Sequence, residues 1–259
     1  MWNIQDDIKC LDKQNFYSSL FFPVLFLVTI WMVKIWEEVM GVSFSHYGVF
    51  PRTAEGLIGI ALYPLIHGDW NHLINNSTAM LLLSLGIFYF YRPVAYRIYF
   101  WTYLMSGIWI WASARANFHI GSSGLIYGFA AFIFFSGIIR KNTNLLALSM
   151  LVTFLYGGMV WGIFPIRPEM SYEGHLWGAV AGLILAVYFR KEGPQKRKYS
   201  WELEEEEEKR RVDEMEKTKE VQENDEIEIT RTKPLNPFTN QPGITYTYKK
   251  KGGEDEDVD

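Results

Sequence analysis

The sequence predicts an all-α polytopic membrane protein with a charged tail. Six apolar runs alternate with short polar connections. The composition also changes abruptly near residue 190: 49% of the 259 residues are hydrophobic, yet nearly all of these lie before that point. Proline, glycine and paired basic residues punctuate the apolar part at intervals suited to crossing about 30 Å of hydrocarbon with roughly 20 helical residues. The expected organisation is a polar N-terminal segment over 1–15, a six-span membrane domain over 16–190, and a charged, largely disordered tail over 191–259.

The first span, 16–35, reads FYSSLFFPVLFLVTIWMVKI. Lys34 sits near its end, where its ammonium is expected to snorkel to the interface. The polar stretch before it is long and no small-residue cleavage site follows the run, so it reads as a retained span rather than a signal peptide. The connection 36–67 contains LIGIALYPLI, too short to cross and interrupted by Pro64, which points to an interfacial or partly embedded loop. The second span follows Asp69, a good N-cap for a helix starting at Trp70, and ends near Tyr91 at Arg92-Pro93. The third covers about 95–113, the fourth 121–139 and the fifth 144–164. FPIRPEMSYEG is a loop because Pro165 and Pro168 cannot sit inside a helix, and the sixth span is about 174–189. In the tail, EEEEEKRRVDEMEKTKE mixes charge signs at helical spacing, as a solvated helix does. ITYTYKK reads as a short strand, and the prolines and terminal acids around it as disorder.

Charge orients the set. Lys9, Lys13, Arg92, Arg97, Arg140, Lys141, Arg190 and Lys191 fall on one side. The other has Arg52, Arg115, Arg167 and the span-end Lys34. The positive-inside rule therefore predicts both termini in the cytoplasm of a multi-pass protein of the plasma (inner) membrane. The basic residues form no single patch, so no nucleic acid is expected as a partner. A lone Cys10 allows no internal disulfide.

With that orientation, spans two, four and six run in the same direction, and each carries its unusual polar residues in its first turns. These are His72 and Asn76, then Ser123, then His175. Polar groups at one membrane depth on three helices mark a site. His72 and Asn76 are i and i+4 and share a face, so both can donate to one oxyanion. Ser123 and Tyr127 share a face likewise, and His175 is the candidate base for the Ser123 hydroxyl. Gly124 and Gly128 on one span, with Gly178 and Gly182 on the other, are small-xxx-small faces that bring membrane helices together. Asn75 faces about 100° away from Asn76 and is the weaker donor. His67 reads as a structural group bonding loop backbone. His46 and His119 read as surface or interface residues, and Glu173 as a hydrated loop acid. His67 and His72 show no HExxH spacing, so no metal is expected.

His72-Leu-Ile-Asn-Asn76, Gly121-Ser-Ser123-Gly124 with Tyr127, and Gly174-His175 followed by Gly178 and Gly182 resemble the rhomboid family of intramembrane serine proteases over about residues 45–190. The second motif position is Ser122, and the first loop has Pro51-Arg52 but no Trp-Arg pair. The resemblance implies a six-transmembrane-helix rhomboid-like bundle. In it Ser123 is the nucleophile and His175 the base and then the acid. His72, Asn76 and the Ser123 amide form the oxyanion hole, Tyr127 stacks on His175, and Gly121 and Gly124 flank the serine. It further implies transmembrane protein substrates that enter from the lipid bilayer, and no cofactor. The alternatives are a catalytically silent rhomboid-like membrane chaperone or substrate recruiter, and a small-solute transporter. The transporter would show two related halves, which the sequence lacks.

Overall fold

The computed structural model describes residues 4–166, 170–195 and 200–224. In chain order its helices are α1 (Ile4–Met40), α2 (Gly59–Leu62), α3 (Trp70–Phe90), α4 (Ala95–Ser113), α5 (Ser123–Arg140), α6 (Thr143–Tyr156), α7 (Tyr172–Tyr188) and α8 (Ser200–Asn224). Short 3₁₀ turns lie between them, and α6 continues as a 3₁₀ stretch over Gly157–Ile163. No strand occurs among the described residues. One isolated bridge pairs Val49 with His119. The chain forms two compact units, Met1–Lys196 and Arg197–Asp259.

In the second unit, α8 is polar and exposed, with Lys209 paired to Glu205 at 2.8 Å across one turn. The expected strand ITYTYKK and the disorder expected around it lie outside the described residues.

In the first unit, Lys13–Met40, Trp70–Phe90, Ser123–Arg140 and Thr143–Ile163 are long and apolar enough to cross a membrane. The chain is thus a multi-pass membrane protein. α4, dense in Trp and Tyr, and the 17-residue α7 pack among these four. α1 overruns its expected end at residue 35 by a turn and more, and passes through Pro23 without breaking. Asp69 caps α3 as expected, its Oδ1 accepting from the His72 amide at 2.9 Å.

α5 is the central helix. Of its apolar window 61% is buried, against 17% for α1 and 11% for α6 with its 3₁₀ extension. Phe129, Phe132 and Ile133 are wholly enclosed. On its α7 side the contact is backbone against backbone. A Cβ on Gly178 would fall on the Gly124 carbonyl, and one on Gly182 on the Gly128 carbonyl. A Cβ on Gly124 would lie 3.2 Å from the Gly174 oxygen. Lipid tails give helices no hydrophobic reason to associate, so close backbone packing carries the contact.

The first loop is pinned by polar contacts. The Tyr63 hydroxyl bonds Ser106 Oγ at 2.8 Å, and the Tyr63 carbonyl accepts from the Gly121 amide at 2.8 Å. Trp111 Nε1 donates to the Thr53 carbonyl at 2.8 Å. Lys34 does not snorkel. Because α1 continues beyond it and the loop covers it, it is buried, pairing with Glu37 at 3.3 Å and donating to the Gly68 carbonyl at 3.2 Å. Arg140, expected as a loop charge, is buried too. It donates to Ser136 Oγ and to the Pro194 and Phe189 carbonyls, and lies over the Tyr91 ring.

Two histidines are structural. His119, expected at the surface, is buried. Its Nε2–H donates to the Arg115 carbonyl at 3.1 Å, and its Nδ1 accepts from the Ser171 hydroxyl at 2.6 Å. Ser171 Oγ in turn caps α7 by accepting from the Gly174 amide at 3.3 Å. His67 Nε2 accepts from the Ser122 amide at 3.4 Å and bonds Ser122 Oγ at 3.3 Å. Burial lowers His119 below the ordinary histidine value. Burial, and then the nearby His72, push His67 down to about 3. Glu173, expected to be hydrated, is buried in the first turn of α7 and paired with Arg115 Nε at 3.4 Å.

Two outcomes follow from this packing. Gly182→Ala should lower stability by about 1–3 kcal/mol through overpacking, read as thermal unfolding in detergent. Gly86→Ala, whose Cβ would meet Ile133 Cδ1 at an ordinary 3.5 Å, should change it little. Both buried histidines are neutral when folded and return to about 6.5 when unfolded, so the unfolded chain binds more protons below that value. Their contribution is complete above about pH 6.5 and is lost as pH falls from there toward the depressed folded values. Melting temperature should drop on acidification, and less steeply in His119→Gln.

Candidate active site

The turn before α5 is built around Gly121, whose φ of +101° is a conformation that only glycine adopts readily. The same position must also lack a side chain. A Cβ there would stand 2.8 Å from His72 Nε2 and 3.7 Å from Asn76 Nδ2. The nitrogens of His72 and Asn76 therefore converge beside the backbone two residues ahead of Ser123. Asn76 is buried and Asn75 exposed, in keeping with their different faces. Asn76 Nδ2 finds no acceptor among the described residues.

Ser123 is the first residue of α5, where backbone amides have no acceptor within the helix. Its Oγ lies 2.9 Å from His175 Nε2. His175 stands in the first turns of α7, so α5 and α7 run in the same direction, and the glycine crossing brings the two side chains into contact. His175 Nδ1 lies 2.9 Å from the Gly162 carbonyl oxygen. A carbonyl can only accept, so Nδ1 carries the ring proton and Nε2 is left with the lone pair that the Ser123 hydroxyl addresses. The Tyr127 ring stacks on His175 with centroids 4.1 Å apart and planes 6° from parallel. The Tyr127 hydroxyl donates to the Met159 carbonyl at 2.7 Å.

The site residues read from the sequence thus fall in one cluster: Ser123, His175, Tyr127, His72, Asn76 and Gly121. Gly124 lies one residue beyond, at the helix crossing. Glu173 makes no hydrogen bond to His175 and turns to Arg115 instead. A cavity of about 310 Å³ lies alongside, lined by Tyr127, Met159, Trp161, Gly162 and Phe164 among others. Among the described residues, no group of three or more His, Cys, Asp or Glu side chains is placed to hold a metal ion.

Sequence reasoning missed the backbone partners, the carbonyls of Gly162, Met159 and Tyr63. A carbonyl carries no residue-type signal, so nothing in the sequence marks them. It also missed the second serine–histidine contact, between Ser122 and His67. Ser122 is completely buried, so that hydroxyl is shut away while its neighbour Ser123 is partly open.

Comparison with known proteins bears on the family. A family model described as the rhomboid domain matches residues 54–192. An uncharacterized protein of Mycobacterium tuberculosis is 30% identical over 176 residues, covering 62% of this chain and 71% of that protein. An uncharacterized protein of Mycobacterium leprae is 28% identical over 171 residues, covering 62% and 67%. A protein of Acanthamoeba polyphaga mimivirus that bears a rhomboid name is 26% identical over 159 residues, covering 57% and 84%. With the rhomboid domain matched over more than half of its length, the chain belongs to the rhomboid family.

Proposed function

We propose that this protein is an intramembrane serine endopeptidase that cleaves the transmembrane segments of membrane-anchored proteins with a Ser123–His175 dyad. The observation that carries the reading is the 2.9 Å contact between Ser123 Oγ and His175 Nε2, with Nδ1 held by the Gly162 carbonyl. On this reading α1, α3, α4, α5, α6 with its 3₁₀ extension, and α7 are six membrane spans. Both termini are cytoplasmic, and the host is the plasma (inner) membrane. Residues 1–15 form the cytoplasmic N-terminus, 16–190 the membrane domain and 191–259 a charged cytoplasmic tail.

The chemistry follows from the atoms. His175 Nε2 takes the proton of the Ser123 hydroxyl as Oγ attacks the scissile carbonyl carbon. Negative charge moves to the carbonyl oxygen, where the Ser123 amide, His72 and Asn76 Nδ2 are the candidate donors. His175 then passes its proton to the leaving amine, and an ester on Ser123 remains. Water, deprotonated by the same nitrogen, hydrolyses it. Tyr127 limits the ring to one plane, which favours delivery of the proton along one line. The substrate's span must unwind locally, because a helical carbonyl is already hydrogen-bonded and shielded.

Purified protein in detergent, given a transmembrane reporter, tests this. Ser123→Ala and His175→Ala should each abolish turnover. A fluorophosphonate should label the wild type and not Ser123→Ala. His72→Ala or Asn76→Ala should lower kcat by roughly 10²–10³, the cost of one oxyanion donor. Equal cleavage by wild type and Ser123→Ala would overturn the serine mechanism. An unlabelled, inactive wild type would favour the silent chaperone or recruiter.

A further inference from the structure

We infer that the main-chain carbonyl of Gly162 is the orienting member of the catalytic set, and that the 3₁₀ stretch Gly157–Ile163 arms His175 only while it is seated against Tyr127. This rests on the protease reading above and goes beyond the two-residue dyad. A neutral imidazole carries one proton. Placed on Nε2, it would point at Ser123 Oγ, and the ring could not accept the hydroxyl proton. Whatever accepts at Nδ1 therefore decides whether the ring is a base toward Ser123. Neither of the other nearby polar groups bonds to Nδ1. Glu173 is paired with Arg115 at 3.4 Å, and the Tyr127 hydroxyl is committed to the Met159 carbonyl at 2.7 Å. The Gly162 oxygen, 2.9 Å from Nδ1, does the work a carboxylate does in a triad, without the charge.

The location of that oxygen matters. Near the C-terminal end of a helix, carbonyls run out of intrahelical donors and are free to accept elsewhere. The stretch that carries it is little enclosed. None of its residues is buried, and its α-helical winding is lost at Gly157. Two of its carbonyls, those of Met159 and Gly162, are held by Tyr127 and His175. Its fit there requires glycine. A Cβ at residue 162 would run into the Tyr127 hydroxyl and stand 3.1 Å from His175 Nδ1. Seating of the stretch and the protonation pattern of the base are thus one event. A displaced stretch removes the acceptor and leaves the ring free to take the unproductive tautomer.

The test reads the ring directly. In ¹⁵N-labelled full-length protein in detergent micelles, the neutral His175 ring should carry its proton on Nδ1, with its signals identified by their loss in His175→Gln. In Gly162→Ala the Nε2–H form should grow. kcat should fall by roughly 10- to 100-fold with KM little changed, below the ~10⁴ cost of a wrong tautomer where a charged carboxylate is the orienter. Gly86→Ala, which lies outside the site and whose Cβ would meet Ile133 at an ordinary distance, should match the wild type in both readouts. A wild-type ring protonated on Nε2 overturns the inference, as does a Gly162→Ala protein that keeps both the Nδ1–H form and full kcat. Should Gly162→Ala fail to fold, the wild-type spectrum decides alone. The spectrum needs no substrate. Cleavage independent of Ser123 would therefore sink the protease reading without touching the hydrogen bond, and the two failures stay distinct.

Discussion

The close crossing of α5 and α7 governs everything above it. Ordinary helix pairs keep their axes about 8–10 Å apart, held off by side chains. Here Gly124 and Gly128 face Gly174, Gly178 and Gly182, and the Gly124 and Gly128 carbonyl oxygens stand where Cβ atoms on Gly178 and Gly182 would be. Ser123 lies one residue before Gly124, and His175 one residue after Gly174. A serine side chain is short, so it meets the imidazole only if the two backbones are nearly in contact. A displacement of about 1 Å is enough to cost a reaction of this kind two orders of magnitude. The glycines are therefore as much a condition of the serine–histidine contact as the two residues themselves.

A second layer of constraint comes from polar contacts on the loops. The first loop supplies the Tyr63 carbonyl to the Gly121 amide, and His67 takes the Ser122 amide. His119 holds the Ser171 hydroxyl that caps α7. The turn bearing Ser123 and the helix start bearing His175 are thus fastened separately, by buried histidines outside the central pair. At the far end of the bundle Arg140 joins α5 to the carbonyls that follow α7. The bundle is tied at both ends of its central helix, and Ser149 of α6 bonds the α5 carbonyl of Ile133 along its length.

Much of this was legible in the sequence where residue type and period carry the information. The boundaries of α3 and α4 match the capping Asp69 and the Arg92-Pro93 break. The shared faces of His72 with Asn76 and of Ser123 with Tyr127 follow from helical geometry alone. The glycine faces foretold the α5–α7 approach. What was not legible depends on neighbours distant in sequence. Lys34, Arg140, His119 and Glu173 were read as exposed because charged and polar side chains usually are. Each is buried because another element covers it and supplies a partner. The change from α-helix to 3₁₀ at Gly157 and the carbonyl bonds of Met159 and Gly162 involve atoms that every residue has. No pattern of residue types distinguishes them. Ser122 and Ser123 are chemically identical in the sequence. The motif singles out Ser123, and the structure separates the two by enclosure and by partner, His67 for Ser122 and His175 for Ser123.

The amide nitrogen of Asn76 has a wider consequence. It is buried beside Gly121 and bonds to no acceptor among the described residues. On the proposed reading, an oxygen bound at that point would accept from an amide that no protein group already holds, so a side-chain donor is in place before the carbonyl arrives.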